Sequence, residues 1–286
     1  MGEFDTATEG TIRLACFIGV LAIMSISEVF LPRRPLVARK SWRWASNLIL
    51  VAINIGLVRV LIPVTAVAAA MTGEDRGWGG LHLVEWPAWL EFVLAVAAFD
   101  FAIYLQHVLF HAVPLLWRVH RVHHADLDLD VTTGVRFHTL EILLSALIKI
   151  GAVMVIGPSP VAVIAFEVLL NASSLFNHSN VDLPSRLDRM LRWLIVTPDM
   201  HRVHHSVLPN ETNSNFGFNL PWWDYLLGTY LPQPREGHLQ MTIGLMEVRE
   251  ERVADRLDQM LLLPFCRLSA PEETEFGPKG KPPRVG

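Results

Sequence analysis

Five stretches of this chain are apolar over a length that can cross a lipid bilayer as a helix, which takes about 20 residues. They run roughly 11–30, 46–71, 87–110, 140–156 and 160–175. Gly157-Pro158-Ser159-Pro160 supplies the turn between the last two. Those two are short, so each either crosses or only enters and returns as a hairpin. The balance of side chains agrees: 51% are hydrophobic and 18% charged, against about 25% charged in soluble domains. The sequence therefore reads as an all-α integral-membrane helical bundle. It has three regions: N-terminal transmembrane helices over 1–95, a region of transmembrane hairpin plus cap over 96–235, and a C-terminal segment over 236–286.

Charge sets the orientation. Arg33, Arg34, Arg39, Lys40 and Arg43 crowd the connection after the first run, while the N-terminal segment is acidic. By the positive-inside rule that connection is cytoplasmic and the N-terminus lies outside. Met1-Gly2 with Thr6 formally fits a myristoylation pattern, but this topology points that end away from the cytoplasm. The end also lacks a basic region and an A-x-A cleavage site, so the first run is expected to be retained. A net charge of −4 gives no reason to expect nucleic acid. Cys16 and Cys266 form no C-x-x-C, which argues against a disulfide framework or a thiolate site. The tail after Leu268, with Pro271, Glu272 and Glu273 followed by Gly, Pro and Lys, reads as disordered.

Eight of the twelve histidines fall in three clusters: His107/His111, His120/His123/His124 and His201/His204/His205. Spacings of three and four residues place side chains on one helical face, and neutral imidazole is the commonest protein metal ligand. A single buried histidine is ordinarily a satisfied core residue. Eight beside a membrane demand compensation, and coordination supplies it. Alternating from the basic loop, all three clusters and His178 come to the cytoplasmic side, although charge counting knew nothing of the histidines. His178 follows Asn177 at the end of the fifth run and joins the candidate ligands. His138, starting the fourth run, is a candidate orienting or structural group. Asp100, two turns from His107 near the same face, is an intramembrane carboxylate and so a functional candidate. It, Asp199 and Asp224 could each accept a hydrogen bond from a ligand's second nitrogen. His82 and His238 read as surface residues.

All-nitrogen sites suit zinc, copper, iron and nickel. One structural zinc needs four ligands, whereas two metals sharing nine keep open positions between them. An oxygen-activating di-iron centre uses that arrangement, with zinc able to replace iron in a purified sample.

At this point the sequence resembles the sterol desaturase/fatty acid hydroxylase superfamily of membrane, histidine-rich di-iron oxygenases. The match covers roughly 100–230. It rests on His107-x3-His111, Trp117-Arg-Val-His-Arg-Val-His-His124, Arg136-Phe-His-Thr-Leu-Glu141, Asn177-His-Ser-Asn180, Thr197-Pro-Asp-Met-His-Arg-Val-His-His205, Asn215-Phe-Gly217 and Trp223-Asp-Tyr-Leu-Leu-Gly-Thr229. The resemblance implies that His107, His111, His120, His123, His124, His178, His201, His204 and His205 bind two Fe ions under a cytoplasmic helical cap. It implies O2 and two electrons used to hydroxylate or desaturate a sterol-like or fatty acyl lipid from the bilayer. Thr139 stands where the family commonly has proline, a departure that only affects how a helix starts. A fused cytochrome b5-like domain is not expected from this sequence, so electrons are expected from a separate donor protein. Two rivals remain open: oxidative cleavage of a fatty aldehyde or alkyl-ether lipid at the same centre, and a membrane metal-binding or transport protein. Transport would want ligands spread across the bilayer.

Overall fold

The computed structural model describes residues 6–268, so the Met1-Gly2 end and the tail from Pro271 lie outside the described residues. Among these residues the fold is all-helical, with only isolated β-bridges. Its long helices are α1 (Thr6–Phe30), α2 (Lys40–Leu61), α3 (Ala66–Arg76), α4 (Ala88–Ala112), α5 (Pro114–His124), α6 (Thr139–Ile156) and α7 (Pro160–Asn177). Five candidate spans result: α1 from Glu9, a segment Lys40–Leu83, α4, α6 and α7.

The second span departs from the single helix expected over 46–71. Pro63 has no N–H to continue the ladder, so α2 stops at Leu61 and Thr65 caps α3 through its side-chain oxygen on Ala68 N. At the other end of α3, Gly77 takes the left-handed conformation that ends helices (φ 64°). The chain then packs against the α6–α7 turn. A Cβ on Gly79 would lie 2.3 Å from the Gly157 backbone, so two glycines allow this contact.

The bundle is built around α7, on which α1, α3 and α4 pack. Its apolar window is 44% buried against 6% for α1, so α1 packs on α7 along one side and leaves the other outward, as lipid contact requires. Ala66, Ala69 and Ala70 bring α3 close to Phe99 and Phe166, whose rings stack at 4.9 Å.

The histidine end of the bundle is capped by short helices: α8 (Ser185–Leu191), α9 (Pro198–His204), α10 (Pro209–Thr212), α11 (Trp222–Leu227), α12 (Gly237–Gln240), α13 (Glu251–Asp255) and α14 (Leu257–Leu262). A second core, with Leu50, Val122, Leu245, Val248 and Met260, joins α2 and α5 to this cap. The α1–α2 connection is part of the same end. Arg33 Nε donates to Asp199 at 2.9 Å, and Arg34 Nη1 donates to the Met241 carbonyl at 2.9 Å. Arg43 is fully buried on α2 and binds Asp126 Oδ1 at 2.6 Å and Asp130 Oδ2 at 2.8 Å. It is therefore an internal ion-pair partner rather than a loop charge, because the carboxylates of 126–130 need a cation to be buried with them.

Candidate metal centre

Four elements bring the histidines together. His107 and His111 sit one turn apart at the end of α4. The chain breaks at Val113, restarts with Pro114, and α5 carries His120, His123 and His124 back over them. His178 caps α7, and α9 supplies His201 and His204, with His205 at its C-cap. All but His111 are buried.

The nine form two groups. Ligand atoms of His107, His111, His120, His124 and His204 lie within 4.8 Å of one another, as do those of His123, His178, His201 and His205. Each H-x2-HH motif divides the same way. Its i and i+4 members share a face and a group, and its i+3 member enters the other. Hence His120 and His124 join the first group while His123 joins the second, and His201 and His205 join the second while His204 joins the first. The His124 and His205 rings stack at 4.6 Å where the two groups meet.

Hydrogen bonds fix which nitrogen is free. His107 Nδ1 donates to the Phe216 carbonyl (2.8 Å), His204 Nδ1 to the Ser214 carbonyl (2.7 Å) and His178 Nδ1 to the Ser174 carbonyl (2.8 Å). His120 Nδ1 donates to Glu141 Oε1 at 2.7 Å, and His111 Nδ1 meets Asn213 Oδ1 at 3.3 Å. A proton held on Nδ1 leaves the lone pair on Nε2. The Nε2 atoms of His107, His111, His120 and His204, and both ring nitrogens of His124 and His205, are buried with no hydrogen-bond partner. A neutral imidazole carries one acceptor nitrogen, and leaving so many buried without a partner is costly; a cation held by each group would take up one nitrogen of every ring. In the second group His178 Nε2 lies 3.1 Å from His123 Nε2 and 3.0 Å from His201 Nε2. Such separations match the roughly 2.9–3.4 Å between neighbouring ligands that metal–nitrogen bonds of about 2.1 Å impose. The residues fit two metal ions. Burial holds His123, His124, His201, His204 and His205 well below the ordinary imidazole range and His178 at about 4. The neutral, ligating form is thus the resting one.

The strap 213–217 is the main support of the first group. Asn215, with a left-handed φ of 50°, reverses the chain between the Ser214 and Phe216 carbonyls, and its Nδ2 donates to the Met200 carbonyl at 2.9 Å. Asp224 clamps the next turn by accepting from Phe216 N and Gly217 N, both at 2.8 Å. Burial pushes the Asp224 carboxyl up to about 6, against the hydrogen bonds from Thr229, Gly217 and Phe216. A Cβ at residue 217 would lie 2.7 Å from Asp224 Oδ2, so only glycine fits this clamp.

The four groups named as possible orienting or structural residues, Asp100, His138, Asp199 and Asp224, make no hydrogen bond to any of the nine histidines. Asp100 accepts from Asn219 Nδ2 (2.8 Å), Leu220 N (3.2 Å) and Trp223 Nε1 (2.8 Å), tying the loop before α11 to α4. His138 caps α6 by accepting from Leu140 N at 3.2 Å, and its Nε2 reaches the Leu261 carbonyl. Asp199 pairs with Arg33 and Arg202. His238, read as a surface residue, is 5% exposed beside Asp199, and burial lowers it to about 4. His82 is exposed as expected. Glu141, the carboxylate on His120, is not set apart by histidine spacing, although a charge in the first turn of an apolar helix is a signal in itself. Phe137, which stacks on His123 at 4.4 Å, carries no such signal.

Residues 92–229 match the family described as fatty acid hydroxylase. The chain is 32% identical to an ornithine lipid hydroxylase of Rhizobium tropici over 80% of its own length and 65% of that protein's. It is 28% identical to an alkylglycerol monooxygenase of Xenopus tropicalis, over 68% of the chain and 44% of the relative. A cholesterol 25-hydroxylase-like protein of Danio rerio is 31% identical over 52% of the chain and 60% of its own length. The chain thus spans less than two thirds of each of these relatives. No solved structure matches it significantly. With the motif set and the two histidine groups, these matches fit the sterol desaturase/fatty acid hydroxylase superfamily.

Proposed function

We propose that this protein is a membrane-embedded, O2-dependent di-iron oxygenase that hydroxylates a lipid drawn from the bilayer, with its site on the cytoplasmic side. The observation that carries this reading is the pair of buried histidine groups whose unpartnered nitrogens face one another at one end of an apolar bundle. His107, His111, His120, His124 and His204 would hold one iron; His123, His178, His201 and His205 would hold the other. Bound there, the irons supply activation of O2 for attack on an unactivated C–H bond. The chain's own part is to fix the tautomers of His107, His120, His178 and His204 through their Nδ1 hydrogen bonds, to exclude water by burying the two groups, and to keep Phe137 and the strap against them.

Hydroxylation is favoured over desaturation because the reported relatives are named hydroxylases or monooxygenases of lipids. The likeness to an alkylglycerol monooxygenase supports one second reading, oxidation of an alkyl-ether lipid that leads to its cleavage. Transport is disfavoured, since the ligands gather at one end. The cytoplasmic assignment is supported by Arg33, Arg34 and Arg39 beside the cap, and the electrons are assigned to a separate donor protein.

The test compares lipid extracts of cells carrying the wild-type protein and His204→Ala, alongside metal analysis of both purified proteins. We expect two irons per wild-type chain and a lipid heavier by one oxygen that the variant does not make. A wild-type protein with no bound transition metal, or an unchanged lipid profile despite full iron loading and a competent donor, would overturn the proposal.

A further inference from the structure

The cap carries an apolar face that its own core does not use. Met190, Trp193 and Leu194 are exposed on and just after α8, and α11 exposes Trp222, Leu226 and Leu227. They form one surface. Trp222 Nε1 donates to the Trp193 carbonyl at 2.7 Å, and the Trp193 and Tyr225 rings stack at 5.5 Å. A contiguous set of large apolar side chains marks an interaction site, unlike scattered ones.

Depth identifies the partner. The segment carrying α11 hangs from α4: Asp100 accepts from Asn219, Leu220 and Trp223, the Trp223 ring packs 4.8 Å from Phe101, and Thr229 pairs with Tyr104 at 2.9 Å. Asp100 and Tyr104 precede His107 by a few residues, about 5–10 Å along the axis at roughly 1.5 Å per residue. At the far end, exposed Trp86 and Trp89 flank the start of α4, as aromatic side chains do at a membrane boundary. Some 20 residues onward, the other boundary falls near His107, so the level at which α11 is tied lies inside it. Arg186 and Arg189 are exposed on α8 beside the apolar set, where anionic lipid headgroups attract cations.

We propose that the α8–α11 face inserts into the lipid leaflet at the histidine end of the bundle. Its apolar side chains sit at the acyl-chain boundary, a depth of about 5–10 Å typical of interfacial helices, and Arg186 and Arg189 meet headgroup phosphates. The cap is then anchored to the bilayer as well as to the bundle. This assignment is independent of the reaction the centre performs.

The experiment uses the full chain with Cys16→Ser and Cys266→Ser, carrying single cysteines at Met190, Leu194 or Leu226 for nitroxide labelling. The protein is reconstituted in phosphatidylcholine–phosphatidylglycerol vesicles, and collisions with oxygen and with a water-soluble nickel chelate are compared. We expect all three labels to favour oxygen, as a label at lipid-facing Leu105 does, while one at exposed Gln233 favours the chelate. Labels at 190, 194 and 226 that follow the Gln233 pattern would place the face in water. Labels shielded from both reagents would place a protein over it. Either result overturns the proposal, and three positions guard against one variant failing to fold.

Discussion

At the scale of single residues, the centre depends on what holds each imidazole from behind. Among the described residues, Glu141 is the one carboxylate that bonds a cluster histidine, through His120 Nδ1 at 2.7 Å. By accepting from Nδ1–H it fixes the tautomer and leaves Nε2 free to ligate. Removing such partners costs about 10–100-fold in metal affinity. Glu141→Ala is therefore expected to lose metal preferentially from the five-histidine group, and Glu141→Gln to lose less, because the amide oxygen still accepts. Metal content after dialysis against a graded chelator checks this; equal retention in wild type and Glu141→Ala would remove Glu141 from the centre. Eight of the nine histidines were readable from spacing, since i, i+3 and i+4 define helical faces wherever the helices go, and His178 from its place at the end of the fifth apolar run. Their supports were not. The carbonyls of Ser174, Ser214 and Phe216 belong to the backbone and leave no mark in residue type. Asp100 misled for a related reason: helical phase put it near the face of His107, but the loop 219–223 offered it four donors first.

At the scale of elements, the long apolar runs of α1, α4, α6 and α7 were legible because burial in lipid needs little beyond length and composition. The α2–α3 break was not: the apolar run continues past Pro63, and the break follows from its missing N–H. The strap 213–217 was visible only as a motif, and its function appears once Asn213, Ser214 and Phe216 are seen bonding three histidines of one group. This makes it separable from the second group. Gly217→Ala pushes a methyl into Asp224 Oδ2 and the Leu220 carbonyl, displacing the Phe216 carbonyl from His107. Overpacking of this kind costs about 1–3 kcal/mol. The variant should stay in the membrane, keep the metal of the four-histidine group, and lose most of the other. Metal per chain falling from two towards one, with the secondary structure unchanged by circular dichroism, is the expected reading; loss of both metals together would show that the strap supports the whole cap.

For the whole molecule, one polarity organises everything: the α1–α2 connection, the cap and both histidine groups share one end, and the Trp78–Leu83 connection with the α6–α7 turn occupies the other. Contacts tie each end together, Arg33 to Asp199 at one and Gly79 to Gly157 at the other. The sign of that axis, as proposed above, rests on charge. Arg33, Arg34 and Arg39 remain in the connection even with Arg43 withdrawn into its ion pairs with Asp126 and Asp130, and cations at a membrane surface are retained on the cytoplasmic side. Single cysteines at Arg39, Asn210 and Glu85, all exposed positions, read out the arrangement in a background without Cys16 and Cys266. With a membrane-impermeant maleimide added to intact cells, Glu85→Cys is expected to label while Arg39→Cys and Asn210→Cys do not. In inverted vesicles the pattern reverses. If Arg39→Cys and Asn210→Cys labelled from opposite sides, the contacts of Arg33 and Arg34 with the cap could not exist in the membrane. If all three followed the reversed pattern, the ends would stand as described and only the axis would be inverted, placing the histidine centre outside the cytoplasm and away from cytoplasmic electron donors.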